Sequence, residues 1–191
     1  MRITGGVHRS RQLHAPKGVS TRPTADRVRE ALFSILASRR PIAGANVLDL
    51  YAGTGALGLE ALSRGAARAT FVECSRTALA ALRANVTALG AEQQARVVEG
   101  LVERRAPALV ADGPFDLVLA DPPYALVRSG EAIQVLESGI EHGLLAEAGM
   151  LVLEQGKDEA SQLIGGLERI DVRRYGDTLL AFYERALPEG S

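Results

Sequence analysis

The chain has 191 residues, of which 47% are hydrophobic and 24% charged, with 22 basic against 23 acidic side chains. These values describe one ordinary globular domain with a full apolar core, and they exclude a disordered chain, a collagen-like repeat or a long coiled coil. No apolar run reaches the roughly 20 residues that a membrane span needs, and the single cysteine, Cys74, excludes an internal disulfide or a multi-cysteine metal site.

The expected compartment is a reducing cytosol, since the N-terminus has no apolar segment of the kind that directs secretion. Charge is unevenly spread. Residues 1–40 hold nine basic and two acidic groups, so the remainder is net acidic. A near-neutral chain with a strongly basic first fifth fits a polyanionic partner; a solvated basic surface balanced by an acidic body is the plainer reading.

In chain order, Arg2-Ile3-Thr4 and Gln12-Leu13-His14 read as two short extended pieces around a Gly/Ser/Arg turn, a hairpin-like basic extension over residues 1–20. A domain over 21–186 follows. Thr24 or Asp26 caps an expected helix whose apolar positions are Val28, Ala31, Leu32, Ile35 and Leu36, ended by Pro41 and Gly44. From there strands and helices alternate. Strands are expected at 47–50, 69–72, 96–98, 115–120 and 150–154, and helices at 57–63, after Ser75 to about Leu89, through Ala108, and at 133–141. The segments 170–175 and 179–183, around Gly176-Asp177, read as an antiparallel hairpin. Such alternation with apolar strands implies an open α/β sheet, mostly parallel and covered on both faces.

Gly53-Thr54-Gly55-Ala56-Leu57-Gly58 satisfies G-x-G-x-x-G between a strand and a helix, and Glu73 lies 20 residues past Gly53 at the tip of the next strand. The glycines allow a tight turn and close ligand approach, the helix start offers unpaired N–H groups, and the carboxylate can accept from a ribose diol. Either a nicotinamide dinucleotide or S-adenosylmethionine fits this much. Asp49, four residues before Gly53, favours the second: a carboxylate beside the loop suits a cationic amino-acid end and repels a pyrophosphate. Asp49 can equally fix the loop through backbone hydrogen bonds, and Glu73 can be a solvated strand end. Cys74 reads as a small packed residue, with no histidine near it in sequence.

Asp121-Pro122-Pro123-Tyr124 closes the fourth strand on the same rim. Two prolines make a stiff corner without N–H donors. Asp121 and the Pro122 carbonyl can accept both hydrogens of an exocyclic amine and aim its lone pair at a methyl on sulfur, while Tyr124 offers a ring for a base to stack on. The plainer reading is a proline turn that ends a strand.

These residues resemble the class I S-adenosylmethionine-dependent methyltransferases that modify exocyclic amines, and within them the bacterial RsmD family. The resemblance runs nearly end to end. Its most specific segment is Thr21-Arg22-Pro23-Thr24-Ala25-Asp26-Arg27-Val28-Arg29-Glu30, and it continues through Asp49-Leu50-Tyr51-Ala52-Gly53-Thr54-Gly55, Phe71-Val72-Glu73, Asp121 to Tyr124 and Tyr175-Gly176-Asp177-Thr178. It implies a seven-stranded Rossmann-like sheet with an antiparallel C-terminal hairpin. It also implies methylation of N2 of a guanine in small-subunit (16S) ribosomal RNA, either naked or within an assembling 30S particle, by a cytoplasmic monomer.

On the same resemblance, donor contacts fall to Asp49, Tyr51, Ala52, Gly53, Thr54, Gly55, Glu73 and Cys74, with RNA contacts at Arg9, Arg11, Arg22, Thr24 and Arg27. Leu101 stands where many relatives carry a polar residue against the adenine amine, so adenine contact there rests on packing or backbone groups. The same chemistry on a DNA adenine or cytosine, or on a protein glutamine, is the second reading. A nicotinamide-dependent oxidoreductase and an RNA-binding protein without catalysis are further ones, and each leaves part of the pattern without a role.

Overall fold

The computed structural model describes residues 1–16, 23–156 and 163–185. Helix α1 (Pro23–Arg39) precedes the alternating series β1 (Asn46–Leu50), α2 (Ala56–Ser63), β2 (Arg68–Glu73), α3 (Arg76–Leu89), β3 (Ala95–Glu99) and α4 (Val102–Val110). Then come β4 (Phe115–Ala120), α5 (Tyr124–Ser129), α6 (Glu131–Glu141), β5 (Leu145–Gly156), β6 (Leu167–Tyr175) and β7 (Thr178–Arg185). The strands form one seven-stranded sheet in the order β3-β2-β1-β4-β5-β7-β6. The first five run parallel, and β7 pairs antiparallel with both β5 and β6. Chain direction across the sheet reverses between β1 and β4, and a ligand crevice opens at the carboxyl ends of strands on either side of such a switch.

Strand alternation divides the core. Val47, Leu117, Leu119, Met150, Val152 and Phe182 face the layer that holds α1, α2 and α3, whereas Leu48, Val118, Leu151, Leu153 and Tyr183 face α4 and α6. The same parity puts Asp49 of β1, Glu154 of β5 and, one residue past β4, Asp121 on the α1–α3 face.

Most expected elements are present, with shifted edges. Pro23 opens α1 instead of a Thr24 or Asp26 cap, since proline at the first helical position loses only an N–H that had no partner. Ser75 caps α3 through Ala78 N–H at 3.4 Å, and Gly90 ends it at φ 64°. Helix α5, which the sequence pattern did not announce, begins directly after Pro123, and Leu126 N–H donates to the Pro123 carbonyl at 2.8 Å.

The N-terminal extension is built into the body. Arg2 and Gln12 form a single antiparallel bridge rather than two strands, yet Ile3 is 0% exposed and packs with Leu13 in the α1–α3 core. Glu60 of α2, also fully buried, accepts Thr4 N–H and the Thr4 hydroxyl at 2.7 Å each, Arg64 Nε at 2.8 Å and Arg29 Nε at 3.4 Å. Arg29 also donates to the Arg2 carbonyl and pairs with Asp26 at 2.8 Å. Buried Asn85 of α3 accepts His14 N–H at 2.6 Å, and its amide donates to the His14 carbonyl at 3.0 Å and to the Thr54 carbonyl at 2.9 Å. The extension is thus fastened at one end to α2 and at the other to the glycine loop.

Candidate active site

The end of β1 sets the loop. Asp49 is 1% exposed, and its Oδ2 accepts the Gly58 N–H at 2.8 Å, which clamps the first turn of α2 to the strand. That approach needs a glycine: a Cβ on residue 58 would lie 2.3 Å from Phe71 Cε1 and 3.1 Å from Asp49 Oδ2. Tyr51 takes φ 59° and Gly53 and Gly55 take 56° and 80°, so the chain turns through left-handed conformations from strand to helix. For Tyr51 that conformation costs about 1–3 kcal/mol, which the surroundings must hold in place. Its hydroxyl donates to Glu103 at 3.1 Å. Ala52 N–H donates to the Val72 carbonyl at 3.0 Å, tying the loop to β2.

Glu73, at the tip of β2, accepts three backbone N–H groups: Gly53 at 2.7 Å on one oxygen, Cys74 at 2.8 Å and Ser75 at 2.7 Å on the other. A carboxylate has about four lone-pair directions, so room for one more donor is left. The Glu73 carbonyl accepts Gly100 N–H at 2.9 Å, which brings the ends of β2 and β3 together, with Leu101 just beyond and 44% exposed. Cys74 is exposed, and partial burial with the neighbouring Glu73 charge pushes its thiol up, away from the thiolate a nucleophile would need.

Asp121 N–H donates to the Leu50 carbonyl at 3.4 Å, which anchors the proline corner to β1. Pro122 is buried; among the described residues no hydrogen bond engages its carbonyl. Tyr124 is 46% exposed, a large ring face open to solvent at the mouth of the site. The Asp121 carboxyl has an open edge but sits in a concavity walled by protein, and this desolvation pushes it up to about 6. Burial holds Asp49 well above the usual carboxylate range. The Gly58 hydrogen bond opposes that shift, while the charges of Asp121 and Glu73 add to it.

One cavity of about 620 Å³ brings Asp49, Tyr51, Ala52, Gly53 and Thr54 together with Asp121 and Tyr124. Glu73, Cys74 and Leu101 stand beside it at the ends of β2 and β3, and Gly55 turns inward against Leu82. Three parts of the wall were not expected from the sequence. Val28, Arg29 and Leu32 of α1 form one side, Tyr175 to Thr178 form another, and Glu154 at the end of β5 stands next to Asp121. The signal for Glu154 was present: like Glu73, it is a carboxylate that closes an apolar strand.

The predicted basic contacts lie elsewhere. Arg9 and Arg27 line a separate cleft of about 440 Å³ with Arg2, Asp26 and Glu30, between the extension and α1. Arg11 is exposed. Arg22 and the Thr24 side chain fall outside the described residues. Among the described residues no helix is long and apolar enough to cross a membrane.

The family model described as Conserved hypothetical protein 95 matches residues 1–184. Ribosomal RNA small subunit methyltransferase D of Escherichia coli (strain K12) is 42% identical over 156 residues, covering 81% of this chain and 74% of that protein. The Bacillus subtilis protein YlbH is 32% identical over 187 residues, 97% and 99% of the two chains. The solved structure of the Thermus thermophilus protein TTHA0928 superposes with a TM-score of 0.79 at 35% identity, covering 96% of this chain and 99% of that one. Since the match extends from the docked N-terminal segment through the Asp121–Tyr124 corner to β7, the chain belongs to the RsmD family of class I methyltransferases.

Proposed function

We propose that this protein transfers a methyl group from S-adenosylmethionine to the exocyclic N2 amine of a guanine in small-subunit ribosomal RNA, acting as a monomer in the cytoplasm on RNA that is free or part of an assembling 30S particle. One observation carries the reading. A rigid acceptor corner and a glycine loop face each other across the β1/β4 switch point, within a cavity whose charged side chains are mostly carboxyls. Such a lining favours a cationic ligand and disfavours a pyrophosphate, which sets the nicotinamide alternative aside.

The residues fit the donor. In this reading Asp49 and the Tyr51–Gly55 loop hold its amino-acid end, Glu73 accepts a ribose hydroxyl on its remaining lone pair, and exposed Leu101 packs against its adenine. When bound, the donor supplies an electrophilic methyl carbon on a positively charged sulfur. Asp121 and the Pro122 carbonyl accept the two amine hydrogens, which raises electron density on a nitrogen that conjugation makes a poor nucleophile, and Tyr124 stacks on the base to fix its plane. Orientation and charge placement, rather than a strong base, are the tools this corner offers. Arg9, Arg11 and Arg27, with Arg22 and Thr24, supply the RNA contacts.

The test is incubation of the purified protein with methyl-labelled S-adenosylmethionine and either undermethylated small subunits, free ribosomal RNA or duplex DNA, followed by nucleoside mass analysis. Label is expected as N2-methylguanosine in the ribosomal RNA. Asp121→Ala should keep donor affinity and lose most of the transfer, by roughly 100-fold or more once the positioning and charge-stabilising carboxylate is gone. Label in DNA adenine or cytosine, or full turnover by Asp121→Ala, would overturn the assignment.

A further inference from the structure

The carboxyl ends of β4 and β5 place two acids side by side. These strands run parallel with Ala120 paired to Leu153, so the next residues along, Asp121 and Glu154, are neighbours across the sheet at about 4.8 Å between strands. The parity of the two strands turns both side chains to the α1–α3 face, and both line the same cavity. Among the described residues neither carboxyl has an ion-pair partner. The other charged or titratable groups on the surrounding walls are Asp49 of β1, Tyr51 just after it, Tyr124 of α5, Tyr175 at the end of β6, Asp177 of the following turn, Arg29 of α1 and the Met1 α-amino group. Arg29 is engaged by the Arg2 carbonyl, Asp26 and Glu60.

We propose that Asp121 and Glu154 form a carboxyl pair that shares one proton at neutral pH, and that Glu154 is a positioning residue which takes that proton and leaves Asp121 as the charged acceptor, without itself touching the substrate amine. The catalytic consequence rests on the methyl-transfer reading; the pair itself does not.

Two carboxylates at this spacing cannot both ionise readily in a concave, partly dehydrated site. Burial and the Asp121 charge together push Glu154 up to about 8, while a hydrogen bond from Thr178 works in the opposite direction. With Glu154 carrying the proton, Asp121 remains the charged member, and desolvation in the cavity lifts its own proton affinity nearer neutral pH than that of an exposed aspartate. That matters at a defined moment. As the amine nitrogen forms its bond to the methyl carbon, the carbon–sulfur bond breaks with its electron pair on sulfur, and the nitrogen becomes cationic. One N–H bond then breaks, its electrons stay on nitrogen, and the proton passes to the Asp121 carboxylate. An acceptor whose affinity is close to the working pH performs this transfer better than one that is strongly acidic. The doubly protonated pair afterwards releases one proton to water.

The pair can be read without RNA or donor, by carbon-13 NMR titration of the Asp121 and Glu154 carboxyls in the full-length protein. In the wild type, two separated midpoints are expected, both above the ordinary carboxylate range. Asp121→Asn should lower the Glu154 midpoint by on the order of one pH unit or more, as removal of a like charge requires, whereas Glu154→Gln, which mimics the protonated acid, should leave that of Asp121 in place and abolish the upper step. Thr178→Val should move Glu154 the other way, which guards against a general loosening of the site. In single-turnover methyl transfer, Glu154→Gln should remove the rate inflection near pH 8 that belongs to Glu154 while leaving donor affinity unchanged. A Glu154 midpoint that does not move in Asp121→Asn, or two carboxyls that titrate independently near 4, would overturn the pair. If the titrations couple as described but no RNA is methylated, the pair stands and the proposed reaction falls.

Discussion

Glu73 illustrates how one side chain serves frame and ligand together. Its two oxygens hold Gly53, Cys74 and Ser75 through their N–H groups, so the acid organises the loop before any donor arrives. Glu73→Ala should therefore weaken donor binding by about 1–3 kcal/mol, the range for removing a charge-assisted hydrogen bond, and also lower the unfolding midpoint. Calorimetric titration with S-adenosylmethionine beside a denaturant melt checks both, and affinity equal to wild type would remove Glu73 from the donor site. Asp49 and Asp121 were legible in the sequence because each stands toward a strand end before a glycine or proline turn, and Glu73 because it tips the next strand 20 residues past Gly53. Glu154 has the same local setting but lacks a flanking turn motif. Its chemistry appears only when the β4–β5 register sets it against Asp121, and register between two strands is not written in either strand alone.

At the scale of elements, α2 is the one whose role was least visible. Its sequence, ALGLEALS, reads as an apolar surface helix, yet Glu60 lies at its centre with no exposure and gathers Thr4, Arg64 and Arg29. Its partners come from 4 to 56 residues away, so only the folded chain displays the cluster. Glu60→Ala leaves the guanidinium of Arg29, 4% exposed, without its buried counter-charge; a loss of about 3–5 kcal/mol is expected on breaking a buried pair from one side. Urea denaturation measures it, and a cost near zero would show that Asp26 alone satisfies Arg29. The strand–helix series was legible because a buried parallel strand is a short apolar run bounded by turns. Helix α5 was hidden by Pro122 and Pro123, whose turn-forming character masks a six-residue helix that starts at the next residue.

For the molecule as a whole, charge separation and connectivity bear on the same question. Residues 1–20 were expected to be a distinct basic extension, but Ile3 and Leu13 belong to the core and Thr4 to the Glu60 cluster. Deleting the segment would therefore damage the fold and blur any reading of RNA affinity. Charge reversal at exposed sites is the cleaner probe. Arg9→Glu with Arg11→Glu should weaken binding to ribosomal RNA and flatten the plot of log K against log salt by roughly 1.4, taking about 0.7 for each phosphate of single-stranded RNA no longer neutralised. Donor affinity should stay constant. An unchanged salt slope, measured by filter binding over a range of potassium chloride concentrations, would place the RNA path on another face.

The fastening of residues 1–16 has a thermodynamic corollary. With Glu60 gripping Thr4 and Asn85 gripping His14 on both its N–H and its carbonyl, this stretch is already ordered when RNA arrives and has no folding entropy left to lose. Unlike a tail that condenses onto its target, it should add no coupled-folding heat-capacity change to association, and it presents its arginines as a preformed relief, matched to nucleic acid by shape before contact.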